Sequence, residues 1–273
     1  MVGHPIKHSR SPLIHGYWLE RHGLAGSYER IEVAPADFDG FVRGLAAAGF
    51  RGGNVTIPHK EAAFRLAEQT TERARRLEAV NTLWIEDGRL HGDNTDVTGF
   101  LAHLDQALGA WDAGTALVLG AGGAARGVIA GLLERAVPRI VVANRTEGRA
   151  RELAAFAPAR VEPIAWAEIP GRLEGADLLV NTTSLGMAGE PPLLVDLAAL
   201  PRHAAVADIV YLPLETPLLA AARARGLRAV DGLGMLLHQA VPGFARWFGV
   251  APQVTPELRA IVEADIARAA RAG

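Results

Sequence analysis

The chain has 273 residues, 49% of them hydrophobic, which is enough apolar material for about two packed domains. Its 28 basic and 30 acidic residues leave a net charge of −2, with no basic block of the kind that grips nucleic acid or an anionic membrane. The absence of cysteine excludes disulfides, thiolate catalysis and Cys-based zinc sites, and no apolar run reaches the roughly 18 residues of a membrane span, so a soluble protein of the cytoplasm is expected.

The first segment alternates strand-like and helix-like patterns. After Gly3-His-Pro-Ile-Lys-His-Ser9-Arg-Ser11-Pro12, apolar residues recur at Leu13, Ile14, Tyr17 and Trp18 until Gly23, which predicts an amphipathic helix with Ser11 as its N-cap and Pro12 at the first helical position. Ser9 and Ser11 have a second, compatible reading: two hydroxyls beside free helix N–H groups suit a carboxylate ligand. A strand at Tyr28 to Val33 leads through Pro35 to a helix carrying Phe38, Phe41, Val42 and Leu45. A short strand then stops at Pro58 and a helix begins at His59-Lys60-Glu61. Lysine at a helix start opposes the helix dipole, which makes a purely structural role for Lys60 less natural, though a solvated surface lysine is the ordinary alternative. Beyond Glu78-Ala-Val-Asn81-Thr82, Asp87-Gly88 predicts a hairpin turn, and Asp96 reads either as a reactive carboxylate or as the N-cap of a helix holding Phe100, Leu101 and Leu104.

The stretch Thr115-Ala-Leu-Val-Leu-Gly120-Ala121-Gly122-Gly123-Ala124-Ala125-Arg-Gly127 reads as a strand buried on both faces, entering a glycine turn that opens a helix. Gly120 permits the turn, Gly122 lets backbone approach a pyrophosphate, and Ala125 allows close helix–strand packing, the arrangement of a dinucleotide site. The next strand, Arg139 to Ala143, ends in Asn144-Arg145-Thr146 and not in an acidic residue that would accept a ribose 2′-hydroxyl. An arginine there matches a 2′-phosphate, and Arg149 adds a second cation, so NADP(H) is the expected cofactor. Three further strands, Asp177 to Val180, Val206 to Val210 and Leu227 to Val230, end in loops carrying Thr182 and Met187, Tyr211, and Gly234 with Met235. Such loops are where doubly wound sheets place ligands.

Met235, Leu236, Ala240, Phe244, Trp247 and Phe248 follow helical spacing, with Gln239 among them and a kink or break expected at Pro242-Gly243. A last helix starts at Thr255-Pro256, and both helices are expected to pack back on the first segment. The fold class is therefore α/β, as two α/β domains with a cleft between them. A Rossmann-type NADP-binding domain at 98–234 is inserted in a discontinuous substrate domain of 1–97 and 235–273.

Gly3-His-Pro-Ile-Lys-His-Ser-Arg-Ser-Pro12, Asn54-Val-Thr-Ile-Pro-His-Lys60, Ala79-Val-Asn-Thr82, Asn94-Thr-Asp96, the glycine turn, Asn144-Arg-Thr146, Asn181-Thr-Thr-Ser-Leu-Gly-Met187 and Asp231-Gly-Leu-Gly-Met235 with Gln239, in this order, closely resemble the shikimate dehydrogenase family. The resemblance spans nearly the whole chain. It implies reversible reduction of 3-dehydroshikimate by NADPH, with Lys60 and Asp96 as the catalytic pair. Substrate contacts are implied from Ser9, Ser11, Thr56, Asn81, Tyr211 and Gln239, and the nicotinamide beside Gly234 and Met235. A hydride added to a ketone leaves an alkoxide, and a cation with a proton-relaying carboxylate suits that charge.

The family pattern departs at Gly16, where Asn is common, at Glu78, where Gly is common, and at Val97, where Gly is usual. The chain also starts almost on the first motif, which leads to the expectation of a trimmed start. Small-molecule partners are expected, with no nucleic acid or membrane, no metal, and room for a homodimer. A quinate/shikimate or aminoshikimate paralogue, and a non-catalytic NADP(H)-binding sensor, stay open as alternatives. None of the nine histidines combines H-x-x-x-H ligand spacing with an accompanying carboxylate motif, since His4-Pro-Ile-Lys-His8 has the spacing alone, and this speaks against a metalloenzyme.

Overall fold

A computed structural model describes residues 1–272, which form two compact units. One comprises Met1–Gly99 and the chain from Leu237 on, the other Phe100–Leu236.

The first unit opens with β1 (Val2–Gly3), α1 (Ser11–Arg21), β2 (Ile31–Glu32), α2 (Phe38–Gly44), β3 (Gly52–Asn54), α3 (Lys60–Leu66), β4 (Gln69–Thr70), α4 (Glu72–Leu77), β5 (Thr82–Glu86) and β6 (Arg89–Asp93), then α5 (Asp96–Leu108), whose first residues belong here. β1 lies parallel to β2, and the other four strands form a sheet in the order β3-β5-β6-β4. Asp87 and Gly88 turn the β5–β6 hairpin with φ of 51° and 73°, the left-handed values such a two-residue turn requires. The hairpin register sets Thr82 opposite Asp93, so the residues just before β5 and just after β6 meet at one end of the sheet. Strand pairing at β2 covers only Ile31–Glu32, shorter than the apolar pattern from Tyr28 implied. Ser11 is the first residue of α1 and not its cap; Arg10 occupies the cap position.

In the second unit follow β7 (Thr115–Leu119), α6 (Gly123–Glu134), β8 (Arg139–Asn144), α7 (Glu147–Ala154), β9 (Val161–Ala165), β10 (Leu178–Asn181), β11 (Ala205–Asp208), α8 (Pro217–Ala224), β12 (Arg228–Val230) and the start of α9 (Leu233–Phe248). Every strand pair is parallel, in the order β12-β11-β10-β7-β8-β9. Side chains alternate across the sheet: Ala116 and Val118 join one buried cluster with Val128, Ile129 and Leu132 of α6, while Leu117 and Leu119 join another with Leu218 and Leu219 of α8. Both faces are thus covered, which is why these strands read as continuous apolar runs. β7 lies between β8 and β10, so the chain winds away from it in both directions and its C-terminal end is the switch point of the sheet.

The chain returns to the first unit along α9 and ends in α10 (Pro256–Ala272). Pro242 does not interrupt α9, because fully buried Leu237, Ala240 and Phe244 hold the helix on either side of it. Thr255 caps α10 by accepting the Leu258 N–H at 3.2 Å. Both helices touch α1: the Trp18 ring lies edge-on to Phe244 of α9 at 5.4 Å, and the Tyr17 hydroxyl donates to Glu257 Oε2 of α10 at 2.9 Å.

His15 of α1 is buried within this aromatic cluster, stacked on Tyr28 at 3.9 Å and beside Phe244 and Trp247. Burial first, and the Met1 ammonium second, push its pKa down to about 3. The folded protein therefore refuses a proton that the unfolded chain binds below about pH 6.5, and the stability this represents is present above that pH and lost as pH falls. We predict that stability from urea unfolding between pH 6.5 and 4 falls more steeply in the wild type than in a His15→Phe variant, by ~1.4 kcal/mol per pH unit. Parallel slopes in the two proteins would refute the assignment.

Candidate active site

At the end of the first unit's sheet, Lys60 opens α3 and Asp96 opens α5. Lys60 Nζ donates to Asp96 Oδ2 at 2.6 Å, and Asn81 Nδ2 donates to Asp96 Oδ1 at 2.8 Å. The side chains of Lys60 and Asp96 are 30% and 23% exposed, sheltered enough to strengthen their attraction yet reachable by a solute. Asp96 is not a cap, since both its oxygens are taken by side chains; Asn94 Oδ1 instead accepts the Asp96 N–H at 3.2 Å. Asn81 is held by the backbone, its N–H donating to the Asp93 carbonyl at 3.0 Å, and the Val80 N–H donates to the Lys60 carbonyl at 2.9 Å. A cation, a carboxylate and an amide thus converge without any of them depending on a flexible loop.

The other expected substrate residues of this unit occupy three neighbouring elements. Ser9 lies before α1, half-buried, with its Oγ accepting the Ser11 N–H at 3.3 Å. The Ser11 hydroxyl is fully buried without a hydrogen-bond partner, a costly state unless a ligand satisfies it. Thr56 sits half-buried in the loop between β3 and α3. Gln239 is buried on α9, and its carbonyl accepts the Thr95 hydroxyl at 2.8 Å.

Tyr211 and all the expected cofactor residues lie in the second unit. Gly120 follows β7 with φ of +108°, and a Cβ there would sit 2.7 Å from Thr182 Oγ1. Glycine is required on both counts. Thr182 reaches back to donate to the Leu119 carbonyl at 2.7 Å, so the ends of β7 and β10 are tied together. Gly122 caps α6 without any side-chain acceptor, and Gly122, Gly123 and Ala124 are exposed. The first N–H groups of a twelve-residue helix are therefore open to an anion, with half-buried Ala121 beside them. At the end of β8, Asn144 Nδ2 donates to the Thr146 carbonyl at 2.9 Å, closing a turn that leaves Arg145 and Arg149 exposed. This is a donor set suited to a phosphate on the ribose. Met187 is exposed in the loop after β10. Gly234, followed by half-buried Met235, lies flush against His103, where a Cβ would overlap the imidazole ring.

The family models describing a shikimate dehydrogenase substrate-binding domain and a shikimate/quinate 5-dehydrogenase match residues 1–83 and 103–188. A shikimate dehydrogenase (NADP(+)) of Methylobacterium radiotolerans is 66% identical, over 98% of this chain and 96% of its own length. This chain belongs to the shikimate dehydrogenase family. The family member from Methylocella silvestris bearing the same name is 62% identical over 98% of this chain and 96% of its own length. Among solved structures, the shikimate 5-dehydrogenase of Thermus thermophilus in complex with NADP(H) and shikimate superposes with a TM-score of 0.85 at 37% identity, covering 97% of both chains. The quinate dehydrogenase of Corynebacterium glutamicum in complex with NAD gives 0.90 at 33% identity, covering 96% of this chain and 97% of its own.

One carboxylate that the sequence did not single out organises the second unit's loops. Asp208, at the end of β11 and 1% exposed, accepts the Thr216 hydroxyl at 2.7 Å, the Asn181 amide at 2.9 Å and the Val210 N–H at 3.0 Å. Val210 and Thr216 bracket the loop bearing Tyr211, and Asn181 begins the loop bearing Thr182 and Met187, so one side chain pins both. Burial pushes its pKa up, opposed by these three donors. In the sequence it was hidden inside a strand-like apolar run. Asp208→Ala would strand all three donors, and we expect a loss of about 2–4 kcal/mol in urea unfolding. A loss under about 0.5 kcal/mol would contradict the geometry.

Proposed function

We propose that this chain catalyses the reversible, NADPH-dependent reduction of 3-dehydroshikimate to shikimate, a cytoplasmic step toward aromatic amino acids. The observation that carries the reading is the Lys60–Asp96 pair at 2.6 Å, held by Asn81 and half-open to solvent. Its family relatives named shikimate dehydrogenase (NADP(+)) support the same reading. The first unit serves the substrate and the second the cofactor. The exposed N–H groups of α6 would hold the pyrophosphate and Arg145 with Arg149 the 2′-phosphate, while Asn144, Thr146, Thr182, Met187, Gly234 and Met235 shape the rest of the cofactor site. Bound NADPH supplies the hydride.

The residues of the chain handle charge and protons. Lys60, an ammonium with three donors, stabilises the oxyanion that develops as the carbonyl is reduced. Asp96 holds Lys60 in place, the oxyanion takes its proton from this pair, and a proton from solvent restores the pair after each turnover. Ser9 and Ser11 bind the substrate carboxylate, which would satisfy the Ser11 hydroxyl. Thr56, Asn81 and Gln239 make the further substrate contacts of the first unit.

Lys60→Ala should lower kcat roughly 10²–10⁴-fold while leaving the NADPH Kd, measured by fluorescence titration, within about twofold. Unchanged turnover would remove Lys60 from the mechanism. A quinate-specific activity is the second reading, favoured by the likeness to the quinate dehydrogenase of Corynebacterium glutamicum. Comparing kcat/KM for shikimate and quinate with NADP and NAD, followed at the absorbance of the reduced cofactor, separates the two. Shikimate with NADP should lead by at least about tenfold, and a lead for quinate with NAD would overturn our choice.

A further inference from the structure

The Lys60–Asp96 pair is the open end of a longer chain of hydrogen bonds that starts at half-buried Tyr28 in the first unit. The Tyr28 hydroxyl donates to Asn54 Oδ1 at 2.5 Å. Asn54 Nδ2 donates to Thr82 Oγ1 at 3.0 Å and to the Asn81 carbonyl at 3.3 Å. Thr82 Oγ1 donates to Asn81 Oδ1 at 2.9 Å, and Asn81 Nδ2 donates to Asp96 Oδ1 at 2.8 Å. Asn54, Asn81 and Thr82 are each no more than 2% exposed, so water cannot substitute for a missing partner.

We propose that Tyr28 and Asn54 are positioning residues for the reaction: together they fix the direction of this chain so that Asn81 presents its N–H, and not its carbonyl, firmly to Asp96. The proposal rests on the activity assigned above. An asparagine amide looks nearly the same either way round, and only its partners decide which end is oxygen. At Asn54 the decision is made by Tyr28, a phenol that burial keeps protonated and that His15 clamps by stacking at 3.9 Å. With its oxygen thus engaged, Asn54 can only donate toward Thr82, whose hydroxyl lies 2.9 Å from Asn81 Oδ1, to which it donates, and 3.0 Å from the Thr95 hydroxyl. Thr95 gives Asn81 Oδ1 two further donors, its N–H at 2.7 Å and its hydroxyl at 3.1 Å. If Asn54 turned over, its oxygen would face both the Asn81 carbonyl and Thr82 Oγ1. It would repel the first and draw the proton of the second away from Asn81, leaving that side chain held by the Thr95 donors alone.

The test uses the full-length protein with Tyr28→Phe and Thr82→Val, both near-isosteric, and Thr82→Ser, which keeps the hydroxyl. We expect kcat for shikimate oxidation to fall roughly tenfold in the first two, with KM for NADP within about twofold, and to recover in Thr82→Ser. In ¹⁵N NMR, hydrogen exchange of the Asn81 side-chain NH₂ should quicken at least about tenfold in the first two variants only. Unchanged kcat, a loss shared by Thr82→Ser, or unaltered Asn81 exchange would each overturn the proposal. A wild-type protein that does not turn over shikimate would sink the activity assignment instead, and the Asn81 exchange would still judge the relay.

Discussion

Burying amides and hydroxyls beside a sheet end is costly unless each finds a partner, and the first unit depends on meeting that demand. Asn54, Asn81, Thr82, Asn94 and Thr95 are all at most 4% exposed, yet every one of them donates or accepts within its own neighbourhood. The same bonds that remove the penalty also leave few rotamers open to Asn81 and Asp96. Stability and preorganisation therefore come from one set of contacts. Among the described residues of this unit, the exceptions include the Ser11 hydroxyl and both ring nitrogens of His15, buried without a hydrogen-bond partner.

The second unit meets the same demand with a charge. Asp208 gathers three donors from three segments, and the loops after β10 and β11 take their shape from it. Here the parallel sheet supplies the frame: strands covered on both faces cannot move, and their C-terminal ends carry glycine at the one position, Gly120, where backbone must pass beside Thr182.

Much of this was legible in the order of residues alone. Period and punctuation located the glycine turn, the β5–β6 hairpin and the cap at Thr255, because each depends on neighbours in sequence. What failed depended on distant partners. Asp96 has the composition of a cap, but its carboxylate is claimed by Lys60, 36 residues away. Ser11 likewise lost its cap role, since the helix starts one residue earlier than Pro12 implied. Pro242 promised a break that tertiary burial of Phe244 and Leu237 overrides. β9 went unread because Pro163 lies within it, which is tolerated only since β9 is the last strand of its sheet. Tyr28 was legible only as a strand residue and Asn54 only as part of a family motif, because their hydrogen bond to each other spans 26 residues.

The boundaries between the units fall at Gly99–Phe100 and Leu236–Leu237, inside α5 and α9 and not in loops. Recombination between relatives therefore has no linker at which to cut. A hybrid carrying a different cofactor unit must be spliced within two helical turns, where one residue too many rotates everything beyond the joint by about 100°. Exchange of a whole unit must therefore keep the phase of both helices at once.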